Sequence, residues 1–268
     1  LSMEQMLLRA PPAPTFDPQL VGEFLFQPGM GVQTADTATE SVRFAAGIQP
    51  EDVTVTRADA DLLLTYNNGA DALRVPDWYS DPASIPSLSA IFDSGTTWDA
   101  ATLTAQGLVM HGTADADMLT GLSPYSNVLI GGPGNDTLVG GTGDDTYVFD
   151  LGDGVDRITD PGGNNALQFG SGITPDSLSL GIGSLLIRVG TGGDAVHLEN
   201  FDPNDVNGPH AIENFQFADG TTLTYTQLIN RGFDVAGTEG NDILSGTNVV
   251  DRIRGAGGDD VIAGGAGN

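Results

Sequence analysis

The 29 aspartates and 38 glycines are the residues of this chain most able to do chemistry, and they recur together at a spacing of nine. Residues 131–139 read GGPGNDTLV, and residues 140–148 follow directly as GGTGDDTYV. In both, glycine holds positions 1, 2 and 4, aspartate position 6, and Leu or Tyr position 8. Aspartate suits tight turns and offers hard oxygen ligands. Glycine at three turn positions permits positive φ and close backbone approach. Cysteine is absent, so no disulfide or thiolate site is available. His111, His197 and His210 share no metal-ligand spacing, and neither HExxH nor GxSxG occurs. The remaining chemistry is that of carboxylate and carbonyl oxygens. Such a set selects calcium over zinc or copper, and magnesium would demand a smaller, stricter octahedron.

The spacing also dictates the elements that must carry these groups. Positions 7 to 9 favour strand, so each repeat reads as a turn followed by a short strand with the position-8 side chain inward. Two repeats make one coil of a right-handed parallel roll. Leu119, Leu138, Tyr147, Ile158 and Leu167 are then stacked inside it. Coils stack at strand spacing, ~4.8 Å, so position-6 aspartates two repeats apart line up on one edge. Two carboxylates at that distance repel by roughly 3–4 kcal/mol at an effective dielectric of 20. A hard divalent cation between turns removes the repulsion and satisfies turn carbonyls that lack a ladder partner.

The first array runs GTADADMLT (112–120), a ten-residue degenerate repeat GLSPYSNVLI (121–130), the two full matches, and then LGDGVDRIT (151–159) and DPGGNNALQ (160–168). The second reads GTEGNDILS (237–245), GTNVVDRIR (246–254) and GAGGDDVIA (255–263), and the natural protein is expected to continue beyond it. This pattern resembles the RTX, or haemolysin-type calcium-binding, repeat family. The resemblance implies that repeat n pairs with repeat n+2, aligning Asp117 with Asp136, Asp136 with Asp156, and Asp242 with Asp260. Asp145 then lies between Asn127 and Asn165. The implied calcium sites comprise these residues and Asp251, with the turn glycines Gly132, Gly134, Gly141, Gly143, Gly152, Gly154, Gly163, Gly240 and Gly258. Several ions are expected.

A longer period of 125 residues is superimposed. RFAAGIQPEDV (43–53) matches QFGSGITPDSL (168–178), and FDSGTTWDAATLTAQG (92–107) matches FADGTTLTYTQLINRG (217–232). These stretches resemble the accessory module that accompanies such repeats in large RTX proteins. Each reads as a small β-rich module ending in one short helix, with Asp99 or Thr224 as N-cap and with strands at DALRV (71–75) and DAVHL (194–198). Asp219-Gly220 signals a hairpin turn. The expected core of the second module is Phe169, Ile173, Leu178, Leu186, Ile187, Phe201, Phe215, Phe217 and Leu228. The fold class is therefore all-β, with right-handed parallel β-roll segments alternating with small β-rich modules. The expected organisation is a terminal helix of a preceding copy (1–10), a linker and degenerate roll without calcium ligands (11–41), module copy 1 (42–107), a roll (108–168), module copy 2 (169–232) and a second roll (233–268). In the degenerate roll, Gln27, Met30 and Gln33 stand where the second copy has Asp150, Asp153 and Asp156.

A formal net charge of −27, with nine arginines and no lysine, should repel nucleic acid and anionic membranes and attract cations. No apolar run approaches a membrane span. The function expected is that of a non-catalytic, calcium-dependent folding module of a large type I-secreted protein, an adhesin or toxin, located outside the cell and monomeric. Two alternatives stand beside it: a glycan or cell-surface ligand module, or the C-terminal secretion and folding region of a secreted enzyme. Trp78 and Tyr79 would suit a carbohydrate platform, but core packing explains them better, since Phe201 and Asp202 replace them in copy 2. The Gly190–Gly193 stretch lacks the strand–helix context of a phosphate loop. Asp-Pro bonds at 17–18, 81–82, 160–161 and 202–203 read as turn chemistry ahead of self-cleavage.

Overall fold

The structure is a computed structural model and describes residues 22–36, 38–67, 69–84 and 86–267. The helix expected over 1–10, the start of the linker and the Asp17-Pro18 bond lie outside the described residues. The chain divides into two compact units, residues 1–109 and 110–268.

In the second unit, alternate nonapeptides feed opposite sheets. Met118–Thr120, Thr137–Val139 and Val155–Thr159 pair in parallel in one sheet. Val128–Ile130, Thr146–Phe149 and Ala166–Phe169 pair in parallel in the other. The register sets Leu138 between Leu119 and Ile158, and Tyr147 between Leu129 and Leu167. Repeat n thus pairs with repeat n+2, and the period-2 alternation of strands turns position 8 inward. Leu129, Leu138, Tyr147, Ile158 and Leu167 are buried, while Leu119 in the edge strand is only partly so. Leu129 joins this stack from the ten-residue repeat, whose degeneracy masks it in the sequence.

Both sheets run without a break into the segment that follows. Asp194–Leu198 pairs in parallel with Val155–Thr159 and then, antiparallel, with Leu185–Val189, which in turn pairs with Leu178–Gly181. Asn214–Phe217 pairs in parallel with Ala166–Phe169 and turns through Asp219 and Gly220 into Thr222–Thr224. The short helix Tyr225–Ile229 starts at Thr224, whose Oγ1 accepts from Gln227 N at 3.2 Å. Phe233–Ala236 then pairs with Asp251–Arg254, and Ile243–Ser245 with Val261–Ala263.

One of the nine expected core residues is placed otherwise, and a second, Phe201, packs against the core from its margin. Leu185, Ile187 and Val189 face the core, so Leu186 lies on the opposite face and is half-buried, because neighbours in a strand cannot share a face. Phe201 is also half-buried, stacked on Phe233 with centroids 5.6 Å apart.

The first unit repeats the plan. Glu23–Phe26, Ser41–Phe44 and Ser89–Ile91 pair in parallel, and Thr97–Trp98 closes that sheet antiparallel. Val32–Thr34 pairs in parallel with Asp71–Val75, which continues into the antiparallel strands Asp61–Tyr66 and Val53–Ala58. Phe44 stacks on Phe92 at 4.6 Å and contacts Phe26 at 5.2 Å. Helix Ala100–Gly107 is capped by Asp99, which accepts from Thr102 N at 2.8 Å. Trp78 and Tyr79 are buried against this helix: Trp78 Nε1 donates to Thr104 Oγ1 and the Tyr79 hydroxyl to Thr104 O, both at 3.0 Å.

Candidate metal centre

Parallel stacking at n+2 turns the position-6 residues into two ladders. Asp117 N donates to Asp136 Oδ1 at 2.8 Å, and Asp136 N donates to Asp156 Oδ1 at 2.9 Å. On the other sheet, Asn127 N donates to Asp145 Oδ1 at 2.7 Å and Asp145 N to Asn165 Oδ1 at 2.8 Å. In the second array Asp242 N donates to Asp260 Oδ1 at 3.0 Å. Asp136, Asp156, Asp145, Asn165 and Asp260 thus each spend one oxygen on the backbone of the coil before. Asn165 N donates in turn to Glu213 Oε2, which carries the ladder into the segment after the array.

The second oxygen separates the aspartates into two kinds. Where position 2 is threonine, Oδ2 is satisfied inside its own turn. Asp117 Oδ2 accepts from Thr113 N at 2.6 Å, Asp242 Oδ2 from Thr238 N at 2.7 Å, and Asp251 Oδ2 from Thr247 N at 2.7 Å. Where position 2 is glycine, as in the repeats of Asp136, Asp145 and Asp156, Oδ2 is buried with no hydrogen-bond partner. All three residues are only 1% exposed. A buried, unpartnered carboxylate oxygen is costly and calls for a cation.

Glycine serves the turns in two distinct ways. Gly132 and Gly152 at position 2, and Gly134, Gly154, Gly163 and Gly258 at position 4, have positive φ. Gly131 and Gly140 at position 1 do not. Their requirement is space, since a Cβ on either would strike the Oδ2 of the aspartate in the same repeat. At position 4, a Cβ on Gly134 would sit 2.7 Å from Asp115 O of the coil before. Gly141 has positive φ, whereas Gly143 and Gly240 do not, and a Cβ on Gly143 would strike Tyr125 O.

The electrostatics set Asp156 and Asp145 apart from Asp117. Burial pushes Asp156 up to about 7; the bond from Asp136 N opposes this, and the charges of Asp136, Asp153 and Asp194 add to it. Burial likewise raises Asp145 and Asp153. Asp117 is lowered, by the bonds from Thr113. Arg43, Arg74, Arg157, Arg231 and Arg252 pair with Glu23, Asp61, Glu199, Asp176 and Asp234, none of them a position-6 aspartate. Among the described residues, no three His, Cys, Asp or Glu side chains are grouped to hold a metal unaided. An ion between coils must therefore also take backbone carbonyl oxygens.

Asp194 and Asp71, absent from the expected site, close the 152–154 turn of the first array and the 29–31 turn of the degenerate roll. Asp194 accepts from Gly152 N at 3.0 Å and Gly154 N at 3.3 Å. Asp71 accepts from Gly29 N at 2.9 Å and Gly31 N at 2.7 Å. Both precede Ala-Val or Ala-Leu in DAVHL and DALRV, and this identity between the internal copies was their sequence signal. In the first copy Gln33 Nε2 donates to Met30 O at 2.7 Å, so an amide closes the turn where the second copy has a carboxylate. The histidines are dispersed: His197 bonds Ser184, and His210 stacks on Tyr225 at 3.8 Å.

Residues 123–156 and 236–268 match the family model of the RTX calcium-binding nonapeptide repeat. The chain carries RTX repeats. Residues 185–227 match the haemolysin-type calcium binding protein related domain, which covers the hairpin strands and Asn214–Phe217 beyond the first RTX array. No curated protein matches the chain. Among solved structures, the extracellular lipase LipA from Serratia marcescens is similar at 17% identity and a TM-score of 0.28, over 77% of this chain and 34% of its own. The chain spans about a third of that lipase's length. The RTX arrays are thus calcium-binding repeats by family and parallel β-rolls by structure.

Proposed function

We propose that this chain is a non-catalytic, calcium-dependent folding module of a large secreted RTX protein of the adhesin or toxin type. The three buried Oδ2 atoms of Asp136, Asp145 and Asp156 carry this reading. They are arranged along the roll edge with carboxylate or amide neighbours, and among the described residues no cationic side chain is paired with them. Bound calcium supplies positive charge and an oxygen-coordinating centre. Asp136 and Asp156 would hold it on one ladder and Asp145 on the other, with turn carbonyls completing the set. Extracellular calcium sites commonly bind at ~10⁻⁴–10⁻³ M, which suits a protein that folds outside the cell. Metal-binding energy then becomes folding energy.

The glycan reading loses its aromatic platform, since Trp78 is fully buried and Tyr79 nearly so. Far-ultraviolet circular dichroism of the chain in millimolar calcium and in chelator tests the proposal. A roll spectrum in calcium that collapses towards disorder in chelator is expected. Identical spectra and melting in the two conditions overturn it.

A further inference from the structure

One buried carboxylate in the roll lies outside the position-6 ladders. Asp160 is the first residue of its repeat, a place held by glycine or, once, leucine in the other repeats. It is 8% exposed. Its Oδ2 accepts from the Tyr147 hydroxyl at 2.6 Å and its Oδ1 from Gly162 N at 2.9 Å. Tyr147 is fully buried, and its hydroxyl reaches back across the roll from position 8 of the repeat that holds Asp145.

Three oxygens converge beside Gly140. A Cβ there would strike the Tyr147 hydroxyl and Asp160 Oδ2, and would lie 2.5 Å from Asp145 Oδ2. Asp145 Oδ2 is the oxygen with no hydrogen-bond partner. The other, Oδ1, is taken by Asn127 N at 2.7 Å and Asn127 Nδ2 at 2.8 Å. Two buried carboxylates, Asp145 and Asp160, thus face one another beside Gly140. The Tyr147 proton is committed to Asp160, so the phenol offers its lone pairs.

The position of this group in the roll explains it. The ladder of Asp117, Asp136 and Asp156 carries a carboxylate on every coil. The opposite ladder reads Asn127, Asp145, Asn165, with one carboxylate in three. Asn165 carries no charge; its side-chain amide donates from Nδ2 to Ala211 O at 2.9 Å and also bonds Asp160. We propose that Asp160 supplies the carboxylate this ladder lacks, forming with Asp145 Oδ2 and the Tyr147 hydroxyl oxygen a calcium site of a second kind. The site rests on the calcium reading above, but its ligand comes from position 1 of a repeat instead of position 6.

The experiment counts calcium ions on the full chain by native mass spectrometry and follows tyrosine-sensitised terbium emission in the same proteins. Asp160→Asn should bind one ion fewer than the unaltered chain and lose the emission that Tyr147 sensitises. Asp136→Asn should lose calcium yet keep that emission. Tyr147→Phe should remove the same component of the emission. If the unaltered chain binds no calcium, the functional reading fails and this site with it. If Asp160→Asn keeps the full count with unchanged emission, the site is overturned while the functional reading stands. Emission in Tyr147→Phe equal to that of the unaltered chain overturns it likewise. Should Asp160→Asn fail to fold in calcium, Asp160→Asn/Asn165→Asp decides. Folding with the full count supports charge replacement, and failure to fold overturns it.

Discussion

The backbone N–H of Asp136 donates to Asp156 Oδ1 at 2.9 Å, and the Oδ2 of both residues is left buried without a partner. One oxygen of each carboxylate ties successive coils together, and the other carries an unmet charge. An unsatisfied buried acceptor costs ~1–3 kcal/mol, and more when charged. The bond between coils is therefore stable only when something else meets the second oxygen.

Asp136→Ala should lower calcium affinity at least tenfold, about 1.4 kcal/mol per ion. Asp251→Ala should change it only about two- to threefold, less than ~0.7 kcal/mol. Asp136 has a coil on either side, and its Oδ2 is free, whereas both oxygens of Asp251 accept from Thr247. Isothermal titration calorimetry of the two variants measures the difference. Equal losses, or a greater loss in Asp251→Ala, contradict the division between threonine and glycine turns.

Without calcium, the roll should lose stability as pH rises. Asp156 is raised to about 7 in the folded chain, against ~3.9 unfolded, so between these values the folded state binds more protons. Its contribution is full below about pH 4 and gone once pH passes about 7. Asp145, Asp153 and Asp160 are shifted in the same direction by burial. Calcium reverses the trend, because it needs the deprotonated carboxylates. Thermal melts in chelator should fall between about pH 5 and about pH 8, and melts in calcium should not. A chelator melt that rises over this interval refutes the assignment.

Ile158→Ala should destabilise the calcium-loaded roll by ~2–5 kcal/mol, the range for a fully buried aliphatic side chain. Ile158 is 1% exposed and packs in register with Leu138. Leu244→Ala should cost less, since Leu244 is half-buried in a two-stranded sheet. Denaturant melts in calcium, followed by circular dichroism, compare the two, and a larger effect at Leu244 would be inconsistent with a single stack through the first array.

Tryptophan fluorescence should be nearly blind to calcium. Trp78 and Trp98 both belong to the unit in which Gln27, Met30 and Gln33 stand in place of carboxylates, and in which Gln33 closes the turn itself. Melting midpoints read by tryptophan should coincide in calcium and in chelator, while those read by circular dichroism separate. A calcium-dependent shift of the tryptophan signal would show that the first unit also binds or senses the ion.

The period of nine, read from GGPGNDTLV and GGTGDDTYV, was enough to place turns, strands and the inward row of Leu138, Tyr147, Ile158 and Leu167. These follow from the backbone preferences of glycine and aspartate and from period-2 alternation, which are properties of neighbours in the chain. The same reasoning missed Leu129, because one inserted residue breaks the period, and mistook Leu186 for core, because two adjacent leucines do not declare which faces inward. What each carboxylate does was decided in three dimensions. Asp117, Asp136 and Asp251 occupy the same position of the same motif, yet Asp117 and Asp251 are satisfied within their own turns, and Asp136 is not. Asp194, Glu213 and Asp160 reach the roll from 42, 48 and 13 residues away from their partners Gly152, Asn165 and Tyr147. Strand pairing brings such groups together, and it depends on which faces of distant segments can be buried at once. Local spacing therefore determined where oxygens would be offered, and only the packed sheets decided which of them would be left without a partner.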